Sequence, residues 1–153
     1  MKKRYYLAYG SNINKNQMEK RCPDSEFVGI SKLEGYNLFF KGYDDDVYLT
    51  INKDEKSTIP VVVWKTSEND EKILDGYEDY PNLYHKEKMN LDVMKDGGEK
   101  INLEVYVYVM NDEYKLGLPS KRYFSTCMEG YDIFSFDKEI LKTALKVSEN
   151  NLN

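Results

Sequence analysis

Residues 89–109, MNLDVMKDGGEKINLEVYVYV, decide the fold. Met89, Leu91 and Val93 alternate with polar neighbours, Asp96-Gly97-Gly98 supplies a turn, and Ile101, Leu103, Val105, Val107 and Val109 resume the alternation, the pattern of a β-hairpin. On the return strand Tyr106 and Tyr108 face the other way, so both of its faces are apolar near its end. Such a strand is central, in a sheet covered on both sides or curled into a barrel.

Upstream of the hairpin the sequence predicts strands at Tyr5 to Tyr9, Tyr36 to Gly42, Val47 to Asn52 and Ile59 to Trp64, with Val61-Val62-Val63 buried on both faces. A short polar helix begins near Asn14. A second runs from Glu68 to Asp79, capped by Ser67, with Glu68, Asp70 and Glu71 in its electronegative first turn. A third runs from Lys121 to Glu129, after Pro119 and Ser120, with Gly130 as its stop. The last starts after Asp137 and buries Ile140, Leu141, Ala144 and Leu145, and the polar tail beyond Val147 frays. The expectation is one α+β domain over residues 1–147, a small mixed barrel-like sheet flanked by helices, with a tail at 148–153.

At 153 residues the chain suffices for one core without staples. Its 22 basic and 27 acidic side chains give a net charge of -5, which disfavours nucleic acid, whose phosphates are held by clustered Lys and Arg. The start, MKKRYYLAYG, lacks the apolar segment of a signal peptide, and no run approaches the ~20 apolar residues of a membrane span, so a soluble cytoplasmic protein is expected. Cys22 and Cys127 lie on different predicted helices and fit reduced thiols. No metal or redox motif is visible, and oligomeric state is left open.

Two signals carry chemistry. Tyr9-Gly10-Ser11-Asn12 ends the first strand, and Gly10 lets the backbone turn there without a Cβ, so N–H groups are aimed at whatever lies above the sheet. A small carboxylate suits that position, although an ordinary turn capped by Ser11 or Asn12 reads equally well from these residues alone. The second signal is KILDGYEDYPNLYHK, residues 72–86. On a helical wheel Ile73, Leu74 and Tyr77 form the buried stripe, and Glu78 falls roughly 40° past Leu74 at its edge. Asp75 and Asp79 project to the far side. Burial and the negative helix end both disfavour ionised Glu78, as a general acid/base requires.

The two signals together resemble the γ-glutamylcyclotransferase family, AIG2-like proteins of which the small members convert γ-glutamyl compounds to 5-oxoproline and a free amine. Beyond the YGSN loop and Leu74-Asp75-Gly76-Tyr77-Glu78, the likeness takes in Gln17 to Pro23, the Ile59 to Trp64 strand, the hairpin end at Tyr106 to Met110 and the Pro119 to Phe124 stretch. Asparagine after the loop serine looks more like the general and bacterial cyclotransferases than the branch acting on γ-glutamylamines. The resemblance implies Glu78 as the catalytic acid/base and Tyr9, Gly10, Ser11 and Asn12 as the loop that grips the glutamyl head. Tyr84 matches a site tyrosine, and Tyr123 is a further candidate. The implied mechanism needs no cofactor and no metal, and the implied partner is a small γ-glutamyl molecule.

Two departures from the family pattern stand out: Asp79, a second acid where a small residue is usual, and Ser135 in Ile133-Phe134-Ser135-Phe136-Asp137, where a glycine is expected. His85 is the single histidine, and neither Ser11 nor Cys127 sits in a nucleophile elbow, so a triad is not expected. Asp44-Asp45-Asp46 reads as a solvated turn, and Trp64 as core. Two other readings stay open: a binding module that uses the same pocket without catalysis, and a hydrolase that releases glutamate.

Overall fold

The computed structural model describes residues 3–152. Strand β1 (Arg4–Ala8) runs through a 3₁₀ turn at Ser11–Ile13 into helix α1 (Lys15–Arg21). Two long strands follow, β2 (Glu26–Tyr43) and β3 (Asp46–Thr66), and then helix α2 (Glu68–Tyr77). The hairpin is β4 (Tyr84–Lys95) and β5 (Lys100–Met110). A two-residue strand, β6 (Lys115–Leu116), precedes helices α3 (Lys121–Ile133) and α4 (Glu139–Asn150).

Neighbouring strands follow the order β3-β1-β5-β4-β2, and β2 pairs back onto β3, so five strands close into a barrel while β6 pairs with β2. Closure leaves β1 between β3 and β5, antiparallel to the first and parallel to the second. The β5 alternation is realised as expected: Val105 through Met110 are all buried. Val61, Val62 and Val63 are fully buried too, pairing with β1 on one side and β2 on the other. No helix among the described residues is long and apolar enough to cross a membrane.

The structure differs from the sequence reading in four places. Residues 26–33, not expected as strand, form the first half of β2, the second predicted strand lies in its second half, and the third and fourth are parts of the continuous β3. Gly29 obscures this stretch: a Cβ there would strike the Met94 carbonyl where β2 meets β4, so glycine is needed for close approach within a strand. Helix α3 does not stop at Gly130 but runs to Ile133. Gly130 is buried inside it because a Cβ would lie 2.9 Å from the backbone nitrogen of Asn14. Helix α4 continues past Val147 to Asn150, and Ser148 is buried, its hydroxyl donating to the Phe40 carbonyl at 3.3 Å. The fourth difference concerns the helix stripe: Ile73 and Tyr77 are exposed, and Leu74 alone of the three is buried.

Ser135 lies at φ 58°, in the left-handed region where glycine rests without strain, which accounts for the expectation of a glycine there. Asp44 and Asp45 form the turn between β2 and β3, Asp46 opens β3 opposite Tyr43, and all three are exposed. Both cysteines are buried and free, and burial pushes each thiol up to about 12.

Candidate active site

One pocket, a cavity of about 100 Å³, brings together every residue singled out in the sequence: Tyr9, Gly10, Ser11, Asn12, Glu78, Tyr84 and Tyr123 all line it. They arrive from β1 and the turn behind it, the segment after α2, the start of β4, and α3. Tyr6, Tyr48, Tyr77 and Tyr108 complete the aromatic wall. Seven of the chain's 14 tyrosines therefore face one cavity, so this composition is a feature of the site and not filler.

Glu78 reaches the pocket from the C-cap of α2, not from a helical stripe; its N–H donates to the Leu74 carbonyl at 2.8 Å. Asp79 follows at φ 49° and turns outward, exposed, with its carboxylate 3.4 Å from the Asn82 amide. It therefore points into water, as the wheel indicated. Glu78 is the single carboxylate in the pocket wall, and among the described residues it has no hydrogen-bond or ion-pair partner for its side chain. Burial pushes its carboxyl up to about 8, against the opposing pull of the Arg21 guanidinium.

The loop opposite is held from behind. Gly10 closes the 3₁₀ turn through its carbonyl, which accepts from the Ile13 N–H at 3.1 Å, and Ser11 does the same for Asn14. The N–H groups of Gly10, Ser11 and Asn12 are left without acceptors among the described residues, although Ser11 and Asn12 are buried. Behind the loop, Asn14 caps α1 by accepting from the Gln17 N–H with its own side chain. A Cβ at Gly10 would press on the Tyr123 hydroxyl at 3.1 Å and touch Leu49 at 3.5 Å, so the loop packs closely against α3 and β3 at this residue.

Asn12 is bound on three sides. The Trp64 indole donates to its carbonyl at 2.9 Å, its amide donates to the Tyr6 hydroxyl at 3.0 Å, and its amide oxygen accepts from Arg21 at 2.6 Å. Its side chain is spent on scaffolding, which leaves its backbone N–H for a ligand. Trp64 is core, as read, and also a support for the loop.

The phenols differ in what they have left to offer. Tyr9 donates to the Tyr108 carbonyl at 2.6 Å and Tyr84 to the Leu49 carbonyl at 2.7 Å, so both present oxygen lone pairs to the cavity. Tyr123 accepts from the Leu49 N–H at 3.1 Å and keeps its proton to give. Burial, and secondarily the charge of Glu78, holds Tyr6 and Tyr9 well above the ordinary phenol range, and burial does the same for Tyr84 and Tyr123. All four stay neutral where Glu78 titrates.

His85 lies outside the pocket wall, bonded at 2.7 Å to both Asn111 and Glu87, and supplies no triad to Ser11 or Cys127. Among the described residues no cluster of His, Cys, Asp and Glu is suited to hold a metal ion. Tyr6, Tyr48, Tyr77 and Tyr108 are the wall tyrosines that local sequence patterns missed as site residues, and Arg21, outside the wall, bears on it through Asn12. The signal was present for Arg21, in the Gln17 to Pro23 stretch.

The fold is that of several solved structures. A gamma-glutamyl cyclotransferase superposes with a TM-score of 0.75 at 22% identity, over 94% of this chain and 86% of that one. An uncharacterized protein from Homo sapiens does so with the same score and identity, over 94% and 87%. A yeast gamma-glutamyl cyclotransferase specific to glutathione scores 0.64 at 10% identity, over 98% and 97%. Comparison with curated proteins gives no match. Those likenesses are of fold, but the sequence profile described as gamma-glutamyl cyclotransferase, AIG2-like, matches residues 6–125, from the strand that leads into the loop to the helix that bears Tyr123, and the chain belongs to that family.

Proposed function

We propose that the protein is a γ-glutamylcyclotransferase that converts a γ-glutamyl amide to 5-oxoproline and a free amine by intramolecular aminolysis. One observation carries this reading: a single carboxylate, Glu78, with its pKa raised to about 8, shares a small tyrosine-walled cavity with three backbone N–H groups, and neither it nor they have a partner among the described residues.

In this reading ionised Glu78 takes a proton from the substrate α-ammonium. The freed nitrogen attacks the γ-carbonyl carbon and closes a five-membered ring. Negative charge develops on the γ-oxygen, and donors such as the Gly10, Ser11 and Asn12 N–H groups or the Tyr123 hydroxyl stabilise it or hold the α-carboxylate. Collapse expels the amide nitrogen, which receives the proton from Glu78; the ring nitrogen, left with two protons by the attack, then gives one to the regenerated Glu78 carboxylate, which passes it to the departing amine, so that 5-oxoproline and an ammonium leave and Glu78 is ionised again. Nucleophile and electrophile belong to one molecule, so holding the glutamyl chain folded supplies much of the rate, on the order of several kcal/mol. The tyrosine faces suit the ammonium before it loses its proton.

The test is a panel of γ-glutamyl dipeptides, γ-glutamylamines and glutathione, followed by mass spectrometry for 5-oxoproline, with Glu78→Gln as the control. Turnover of at least one member, lost in Glu78→Gln, is expected. Free glutamate in place of 5-oxoproline would make the protein a hydrolase. Binding without turnover would make it a recognition module.

A further inference from the structure

Arg21 is the last residue of α1 and does not line the pocket, yet it touches both halves of the pocket's polar apparatus. Its guanidinium lies over the Tyr77 ring, Cζ 3.3 Å from the centroid, and one of its nitrogens donates to the Asn12 amide oxygen at 2.6 Å. Tyr77 immediately precedes Glu78, and its hydroxyl lies 3.4 Å from the Ser11 hydroxyl. A closed circuit results: Ser11 and Asn12 on the loop, Arg21 on α1, and Tyr77 at the end of α2. Among the described residues Arg21 has no ion-pair partner, so its charge is not neutralised by a structural carboxylate.

We propose that Arg21 is a positioning residue, a clasp that holds the binding loop and the Glu78 segment in register across the cavity and keeps a fixed positive charge beside the reacting carboxylate. The inference rests on the reading of Glu78 as the acid/base. Two physical arguments support it. A planar guanidinium is required, because one face stacks on an aromatic ring while an edge donates in plane to an amide; an ammonium does neither in the same geometry. Asn12, oriented by Arg21, turns its own amide hydrogen to the Tyr6 oxygen, so the tilt of the loop backbone and the free proton of Tyr6 both depend on the clasp.

The groups that face Glu78 are the phenols of Tyr6 and Tyr9 from β1 and the loop behind it, Tyr84 from β4, Tyr123 from α3, and Arg21 from α1. The phenols are neutral throughout the range in which Glu78 titrates. The fixed charge that opposes the effect of burial is therefore that of Arg21.

The experiment compares wild type with Arg21→Lys, Arg21→Met and Tyr77→Leu by three readouts: the ¹³C carboxyl titration of Glu78 in the ligand-free protein, the pH profile of kcat/KM, and thermal midpoints. In Arg21→Met the Glu78 midpoint and the acid limb of activity move together to higher pH, and plateau kcat falls roughly tenfold or more. Arg21→Lys keeps the charge, so the midpoint stays near that of wild type while kcat still falls. Tyr77→Leu, which removes the stacking surface but not the charge, behaves like Arg21→Lys and carries the positioning test if Arg21→Met does not fold. A lowered melting temperature in all three, with midpoint and plateau kcat unchanged, overturns the proposal and leaves Arg21 a stabilising residue only. If wild type turns over no γ-glutamyl compound, the functional reading fails by itself, and the ligand-free titration still decides whether Arg21 sets the charge state of Glu78.

Discussion

Glu71, Asp75 and Glu78 lie within eight residues of one another on and just after α2, and their surroundings are opposite. On the β4 side, Lys86 reaches Glu71 at 2.8 Å and Asp75 at 2.9 Å, Arg4 adds a contact to Glu71 at 3.4 Å, and the Tyr108 hydroxyl donates to Asp75 at 2.6 Å. Burial opposes the charge of Lys86, and the hydrogen bonds it donates to Glu71 and Asp75 outweigh it, so the ammonium stays above its ordinary range. Glu78, at the pocket end, has burial without any such partner. The same side-chain type is a fastener where its charge is answered and a proton carrier where it is not. Even the fastener serves the site, because Tyr108 lines the pocket and Asp75 holds its phenol.

The largest effect expected from this contrast is that of Glu78→Gln. Activity falls by about 10²–10⁴ in kcat/KM, the usual worth of a general acid/base, while substrate binding measured by calorimetry survives. In wild type kcat/KM rises with pH through about 8, where the free enzyme's Glu78 ionises. Stability moves the other way. The folded protein holds the Glu78 proton up to about pH 8 and the unfolded chain releases it near 4.5, so the folded state binds more protons between these values and loses stability as pH rises. Glu78→Gln removes that loss, so its unfolding free energy relative to wild type is greater at pH 9 than at pH 5, by on the order of 1–3 kcal/mol. A variant that is less stable at pH 9 would show that Glu78 is answered after all.

Removing the shared cation tests the other region. Lys86→Met leaves Glu71 and Asp75 facing each other without it, at a cost of about 2 kcal/mol in urea unfolding, discounted from a fully buried pair because Asp75 retains 29% side-chain exposure. Below its melting temperature the variant keeps most of its activity and an unmoved pH profile. A pH profile displaced along with stability would join the two regions electrostatically and end the contrast.

Next in size is Tyr108→Phe, which deletes the 2.6 Å hydrogen bond to Asp75 while leaving the ring against Tyr6 and Tyr80. The expected cost is about 1 kcal/mol, with a rise in KM larger than the loss in kcat, since the ring bounds the cavity without meeting the reacting atoms.

What the sequence revealed follows the range of the forces involved. The β4–β5 hairpin was readable because alternation and a glycine turn are local, and Val61 to Val63 because triple burial needs no partner to be recognised. Glu78 was found on an argument that holds in part: the wheel placed it roughly 40° past Leu74 in a stripe with Ile73 and Tyr77, and Leu74 is buried while the other two are exposed, with Glu78 at the C-cap where the chain leaves the helix. The first half of β2 was lost because Gly29 reads as a loop signal until the Met94 carbonyl is known to press on it. Tyr6 and Tyr108 act through contacts 6 and 33 residues away in sequence, and no local pattern carries such information, whereas Arg21 lies in the family-like Gln17 to Pro23 stretch and only its contact to Asn12, 9 residues away, was illegible.

The smallest effect discriminates most finely. Arg4 touches Glu71 at 3.4 Å through a side chain that is 39% exposed, and it also lies over the Tyr106 ring at 4.8 Å. Lys86 already answers Glu71 at shorter range and with less exposure. An exposed, longer and redundant ion pair contributes little, so Arg4→Met changes stability by about 0.5 kcal/mol or less, and salt erases part of that. The same urea titration used for Lys86→Met reads it, with the two variants and their combination forming a cycle. Near-additivity means that the cations act separately and Lys86 holds the carboxylates. If Arg4→Met costs as much as Lys86→Met, the cluster is a single cooperative unit, and its effect on Tyr108 then extends from Arg4 at the start of β1 to the wall of the pocket.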